Sequence, residues 1–295
     1  MRQHGEADRP SAILPPVDDT SAARRLRDAL EPIATQGWWS PAMRPRLEQL
    51  GVGFLEGYAW GRAAALGEPA PSVVVATFGV FEPTWLSRAY ERGRSAVSRD
   101  EILANRAEGA AEGLAKTLGD RVETAALAEA LHTAMADVAA TARPLFSALR
   151  ELPVPATAHG RLWRAAEMYR EHRGDSHLAA CIAAGLDPVE MNIVTELAVG
   201  YRVTEYSSTR GYQSEALEAA AASLTARGWL SEGNLTDDGR AARAAIERAT
   251  DAGQAEVLDG LGDRIENVIT IAASLSDLIV AAGAFPADVR KRAAG

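Results

Sequence analysis

Apolar residues recur every three to four positions through most of this chain, and most of the runs end at glycine or proline, so helices are the expected element. The first run follows Ser21, whose hydroxyl suits a helix N-cap, and extends through Ile33. Trp38-Trp39 are expected in a loop, and a long helix is expected from about Pro45 to Leu66, stopped by Gly67 and Pro69. The run from Val73 to Phe78 has strand composition but no partner run nearby, so a buried helix is expected there. Further helices are predicted over 83–93, 98–119, 122–140 and 141–150, after which Leu152-Pro153-Val154-Pro155 breaks the pattern.

Beyond that break a helix from about Gly160 to Arg173 is expected to close at Gly174. Asp175 then caps a short helix to Ala184, and Asp187-Pro188 starts another. Residues 213–227 read as an amphipathic helix and Ser231-Glu232-Gly233-Asn234 as a turn, with Leu235–Arg240 leading into the next helix. A last periodic stretch, roughly 255–281, is rich in Ile, Val and Leu and suits packing on the first half or on a second copy.

The order helix, Ala226-Arg227-Gly228-Trp229-Leu230, turn, Leu235-Thr236-x-x-Gly239-Arg240, helix is the C-terminal signature of a winged helix-turn-helix. The prediction is therefore an all-α fold: a helical N-terminal domain plus a divergent winged helix-turn-helix with a very short wing. The expected division is a disordered tail over 1–20, a helical domain over 21–152, a winged-helix-like domain over 156–253, and a C-terminal helix and tail over 254–295. The tail is polar, holds Pro10, Pro15 and Pro16, and shows no period.

Charge changes this picture. A chain with formal net charge −9 needs a local basic face to neutralise phosphates. The would-be recognition helix sets Glu215 and Glu218 against a single terminal Arg227, and the wing has no basic tip, so specific DNA binding is not expected. One cysteine, Cys181, excludes an internal disulfide and fits a reducing compartment. No apolar run reaches the roughly 20 residues of a membrane span, and the start lacks the apolar core of a signal peptide. A cytoplasmic protein with no membrane partner is expected.

Candidate chemistry concentrates in Arg170-Glu171-His172-Arg173-Gly174-Asp175-Ser176-His177. A corner at Gly174 would let His172 and His177 converge, with Glu171 or Asp175 as a third metal ligand, although His-x4-His is not a metal motif. Imidazoles beside Arg173 also suit proton transfer or anion binding. An ion pair at Glu171, a cap at Asp175 and a stop at Gly174 would equally be plain structure. A second constellation, Trp38, Tyr58, Arg62, Phe78 and Phe81, can line a flat aromatic pocket with one guanidinium, or form an aromatic core with Arg62 in an internal ion pair. No phosphate loop, nucleophile elbow or Cys-x-x-Cys is present, and cofactor and metal are unknown from the sequence.

The chain resembles a family of high-GC bacterial proteins labelled MarR-like helix-turn-helix. The residues that carry the likeness are Gly57-Tyr58-Ala59-Trp60-Gly61-Arg62-Ala63-Ala64, Thr77-Phe78 with Phe81 and Pro83, and Arg143-Pro144-Leu145-Phe146. Leu162-Trp163 followed by Arg170 to His177, then Ala183-Ala184-Gly185-Leu186, match best. The resemblance covers roughly residues 22–282 and implies a helical N-terminal half with a divergent winged helix. The family pattern has a histidine soon after a Glu-Pro pair, where this chain has Glu31-Pro32-Ile33-Ala34. An activity that depends on that histidine would not carry over.

These readings converge on a protein that binds a small organic molecule, in specialised metabolism or resistance, with the site where the 170–177 segment meets the aromatic face. An enzymatic version would use His172 or His177 to move a proton, Asp175 or Glu171 to orient it, and Arg173 or Arg62 to stabilise negative charge. The alternatives are a ligand-responsive MarR-like regulator that binds DNA, and a non-catalytic scaffold or ligand-sequestering protein acting as a homodimer.

Overall fold

The computed structural model describes residues 21–288 and 290–294, so the tail expected over 1–20 lies outside the described residues. Ser21 caps α1 (Ala22–Ala34) by accepting the Arg24 N–H. Trp38 lies in a one-turn helix, α2 (Gln36–Trp39), rather than in a loop. The long helix expected over 45–66 is instead two, α3 (Met43–Gln49) and α4 (Phe54–Ala63). Gly51, at φ 71°, supplies the left-handed residue that separates them, a break invisible to the apolar period alone. The β-branched run is helical, as α5 (Pro71–Phe78), with Pro71 in the first turn where its missing N–H costs nothing. Then follow α6 (Pro83–Ala96), α7 (Arg99–Leu118), α8 (Val122–Met135) and α9 (Pro144–Arg150).

The largest correction falls on the second half. α10 (Ala158–Ala183) runs without interruption through Gly174, and the expected corner does not exist. A glycine inside a helix costs only about 1 kcal/mol, little against what a helix of 26 residues gains by burial. The stop comes at Gly185, at φ 72°. Asp175 is consequently a mid-helix residue, while the N-cap of α10 is Thr157.

The winged helix follows as the sequence pattern predicts. Asp187 and Glu190 form a capping box on α11 (Pro188–Ala198), and α12 (Ser214–Ala226) occupies the recognition-helix position. The wing consists of β1 (Leu230–Ser231) and β2 (Asn234–Leu235), antiparallel with Leu230 opposite Leu235, and leads into α13 (Asp237–Ala252). The C-terminal helix expected over 255–281 is divided into α14 (Ala255–Leu261) and α15 (Ile265–Ala281) at Gly262, φ 53°.

α15 lies along α1, and the two share a buried core with α7, α8 and α10 that includes Leu30, Leu114, Leu131, Trp163 and Leu275. A second core around Trp60, Phe78 and Tyr90 fills the space between α3 and α7, and a third, around Ile193, Leu224 and Ile246, holds the winged helix together. α10 contributes to the first through Leu162 and to the third through Cys181. No single helix among the described residues is long and apolar enough to cross a membrane.

The glycine of the Leu-Thr-x-x-Gly-Arg motif now has a physical reason. A Cβ on Gly239 would lie 2.2 Å from the Trp229 carbonyl oxygen, which accepts the Thr236 N–H at 3.0 Å to close the wing. Backbone cannot yield as a side chain can, so Gly239→Ala is expected to destabilise the protein by about 2 kcal/mol in a denaturant melt. An unchanged midpoint would show that the wing is not held by this close approach.

Candidate functional site

A buried charge must be paired and hydrogen-bonded, or lose its charge. α10 buries Arg164, Glu167, Glu171, His172, Arg173 and Asp175, and its neighbours supply most of the partners. Glu167 accepts from Arg106 of α7 at 2.6 Å, and Arg164 stands 3.5 Å away. Glu171 is gripped by Arg62 of α4 through two parallel bonds of 2.8 and 2.6 Å, and by Arg170 at 3.2 Å. Arg170 in turn bonds Glu31 of α1 at 3.1 Å. Burial alone would raise the Glu171 carboxyl, but the Arg62 and Arg170 guanidiniums outweigh it and hold it down at about 2. On the winged-helix side, Glu247 of α13 accepts from Arg173 at 2.7 Å and from Arg243 one turn before it.

Between these two ion-pair groups lies a cavity of about 110 Å³, at the seam between the N-terminal helices and the winged helix. One wall is aromatic: Tyr58, Phe78 and Phe81 meet with centroids 5.8 to 6.2 Å apart, and the Arg62 guanidinium sits 4.2 Å above the Phe78 ring. α10 contributes Gly174, Asp175 and His177, and α11 contributes Asn192 and Thr195. Tyr206 and Arg210, from the segment before α12, close another side.

The residues singled out in the sequence fall into three groups. Arg62, Tyr58, Phe78, Phe81, Arg173, Asp175 and His177 all line this cavity. Glu171 lies just behind it, fixing Arg62. Trp38 and His172 are elsewhere: Trp38 packs edge-on against Tyr58 and under the Arg170 guanidinium, and His172 faces Phe146 and the Gln254 amide.

On a continuous helix the two histidines, five residues apart, point to different sides. His172 Nδ1 bonds Gln254 Oε1 at 2.8 Å, whereas His177 Nδ1 meets Thr250 Oγ1 at 3.0 Å. They do not converge, and no group of three or more His, Cys, Asp or Glu among the described residues is arranged to hold a metal ion. Burial pushes the His172 imidazole down to about 4. Burial, with Arg243 close by, pushes His177 down to about 3. Both rings stay neutral at physiological pH. The Cys181 thiol, 3.6 Å from His177, is raised to about 11 by burial and stays protonated.

Asp175 behaves in the opposite sense. It is buried, has no arginine partner among the described residues, and accepts only weakly from the Phe146 N–H at 3.4 Å. Burial first, then the like charge of Glu171, push its carboxyl up to about 7. Within the cavity Asp175, rather than either imidazole, can exchange a proton near neutral pH.

Sequence reasoning missed Arg210, Tyr206, Asn192, Arg243 and Glu247. A signal for the last two was present: Arg243, Glu247 and Thr250 recur at helical spacing on the face of α13 that also carries Ile246, where an ordinary amphipathic helix would be apolar. Arg210 lies in a segment with no period to read.

The exposed face of α12 carries Glu215 and Glu218, and Arg227 at its end is tied to the Ala184 and Gly185 carbonyls at 3.0 and 2.9 Å. The sequence profile of a helix-turn-helix family matches residues 23–286. No curated protein and no solved structure matches the chain.

The Asp175 carboxyl keeps its proton to about pH 7 in the folded chain but loses it near 3.8 once unfolded. Unfolding therefore releases a proton between those values, and stability falls as pH rises from about 4 to 7 before levelling off. Asp175→Asn removes this penalty and keeps the acceptor oxygen. The variant is expected to be more stable than the parent by about 4 kcal/mol at pH 8 and nearly equal to it at pH 4. Equal melting curves at both values would place the proton elsewhere.

Proposed function

The chain belongs to a helix-turn-helix family, and we propose that it binds a small organic molecule in the cavity between its N-terminal helices and its winged helix. One observation carries this reading: the cavity joins an aromatic wall to convergent polar groups, including a carboxyl shifted to about 7. MarR-like kinship and a place in specialised metabolism belong to the same proposal and rest on the motif resemblance alone. The winged helix then acts as a structural module that completes the pocket. The acidic face of α12, the occupied Arg227 and a wing without cations support that role, because a duplex-reading helix needs side chains that reach bases and phosphates.

A second reading, a ligand-responsive regulator, is favoured by the family and by one feature of the cavity. Asn192 and Thr195 of α11, with Tyr206 and Arg210 just before α12, line it, so a ligand would bear directly on the helix-turn-helix. That reading requires tight binding of a specific duplex at physiological salt, in the nanomolar range.

Gly174 offers the test. It lines the cavity, and a Cβ there would meet only Glu171 Oε2, at 3.9 Å. Gly174→Leu places a side chain in this space with its Cβ clear of all backbone and improves helix propensity, so it is expected to raise stability by roughly 0.8 kcal/mol. A ligand-observed NMR screen of one- and two-ring compounds should give binders with the parent protein and none with Gly174→Leu. The same compounds binding both proteins equally would remove the cavity as the site.

A further inference from the structure

The arginines around the cavity are not equally compensated. On the N-terminal side Arg62 and Arg170 share two carboxylates, Glu31 and Glu171. On the winged-helix side Arg173 and Arg243 share Glu247, and the Asp251 carboxylate, 3.6 Å from Arg173, is already bonded by Arg24 at 2.9 Å. Arg210 is in no ion pair among the described residues. It donates to the Tyr206 hydroxyl and lies 4.8 Å above the Phe81 ring and 4.6 Å above the Tyr206 ring, with Lys291 on that same Tyr206 ring. Arg173, Arg210 and Arg243 also share a second property: each has a buried Nε–H without a protein acceptor. Arg173 and Arg243 are more than nine-tenths buried, where an uncompensated guanidinium is costly. Three cations thus line one side of the cavity against one fully committed carboxylate.

Resting on the small-molecule reading above, we propose that the ligand is an organic dianion, a phosphate ester or a dicarboxylate, whose acidic end is held by Arg210 with Arg173 and Arg243 beside it. Its flat or apolar body lies against Phe78 and Phe81. Guanidinium forks suit both acid types, since each offers paired oxygens for bidentate bonds. Asp175 fits this assignment, because a carboxyl that holds its proton adds no repulsion to an incoming anion.

Calorimetric titration at pH 6.5, where Asp175 is mostly protonated, with phenyl phosphate, phthalate and neutral benzamide tests the proposal on the full chain. At least one dianion should bind ten or more times tighter than benzamide, and which of the two does so distinguishes a phosphate from a dicarboxylate. Arg210→Met should remove at least tenfold of that affinity and weaken benzamide binding by much less. Because Arg210 is in no ion pair, the melting midpoint should stay near that of the parent, and Arg210→Lys should recover part of the dianion affinity. Benzamide binding as tightly as both dianions, or dianion binding indifferent to Arg210→Met, would overturn the dianion assignment alone. Failure of all three probes would count against the dianion, and the small-molecule reading falls with it if the NMR screen also finds no compound excluded by Gly174→Leu.

Discussion

Burial of a charged helix is the constraint on which the rest of this fold depends. α10 is enclosed by α1, α7, α8, α9 and α13, yet it carries acids and bases along its whole buried length. Water cannot solvate those groups, so neighbouring helices have to present opposite charges at the right heights. Arg62, Arg106, Glu31 and Glu247 do so from four different helices. Local sequence has adapted to let them through. Gly61 is one case: a Cβ there would sit 2.4 Å from Arg106 Cδ, blocking the side chain that reaches Glu167. Ion pairing of this kind adds little net stability over an apolar core, but it fixes which helix faces which.

The cavity is the place where that pairing is left incomplete. Asp175 evades the requirement by holding a proton, and the arginines of the winged-helix side outnumber the carboxylates they touch. A protein built only for stability would have closed this gap with apolar side chains, as it has done around Trp163 and Leu275. The gap lies where segments far apart in sequence meet, and it is lined by the segments that frame the helix-turn-helix. Any group entering this gap would touch α11 through Asn192 and Thr195.

Much of the fold was legible in the sequence, because helices and their ends are governed by local rules. The Ser21 cap, the Asp187 capping box, the helical state of Val73–Phe78 and the stub wing all follow from periodicity, caps and turn residues. The failures have a common cause. Gly174 looks like a stop and Asp175 like a cap, but tertiary enclosure of α10 outweighs the propensity of one glycine. Gly51, by contrast, does break a helix, and nothing in the neighbouring apolar period separates the two cases. For the cavity, Tyr58, Arg62, Phe78 and Phe81 were accessible as one-turn or near-neighbour pairs. Arg210 and Asn192 were not, because only the folded chain brings them beside Phe81 and Val80, more than a hundred positions away.

The pairing of Glu171 with Arg62 carries the central claim, and a double-mutant cycle measures it directly. Arg62→Leu and Glu171→Leu each leave a buried charge exposed to loss of its main partner, and each is expected to lower unfolding free energy by about 3 kcal/mol. The double variant removes both charges, leaves Arg170 with Glu31, and is expected to lose little more than either single one, giving a coupling energy of about 2 kcal/mol or more. Additive losses in the double variant would contradict the account, because α10 would then be held by packing alone and its buried charges would be incidental.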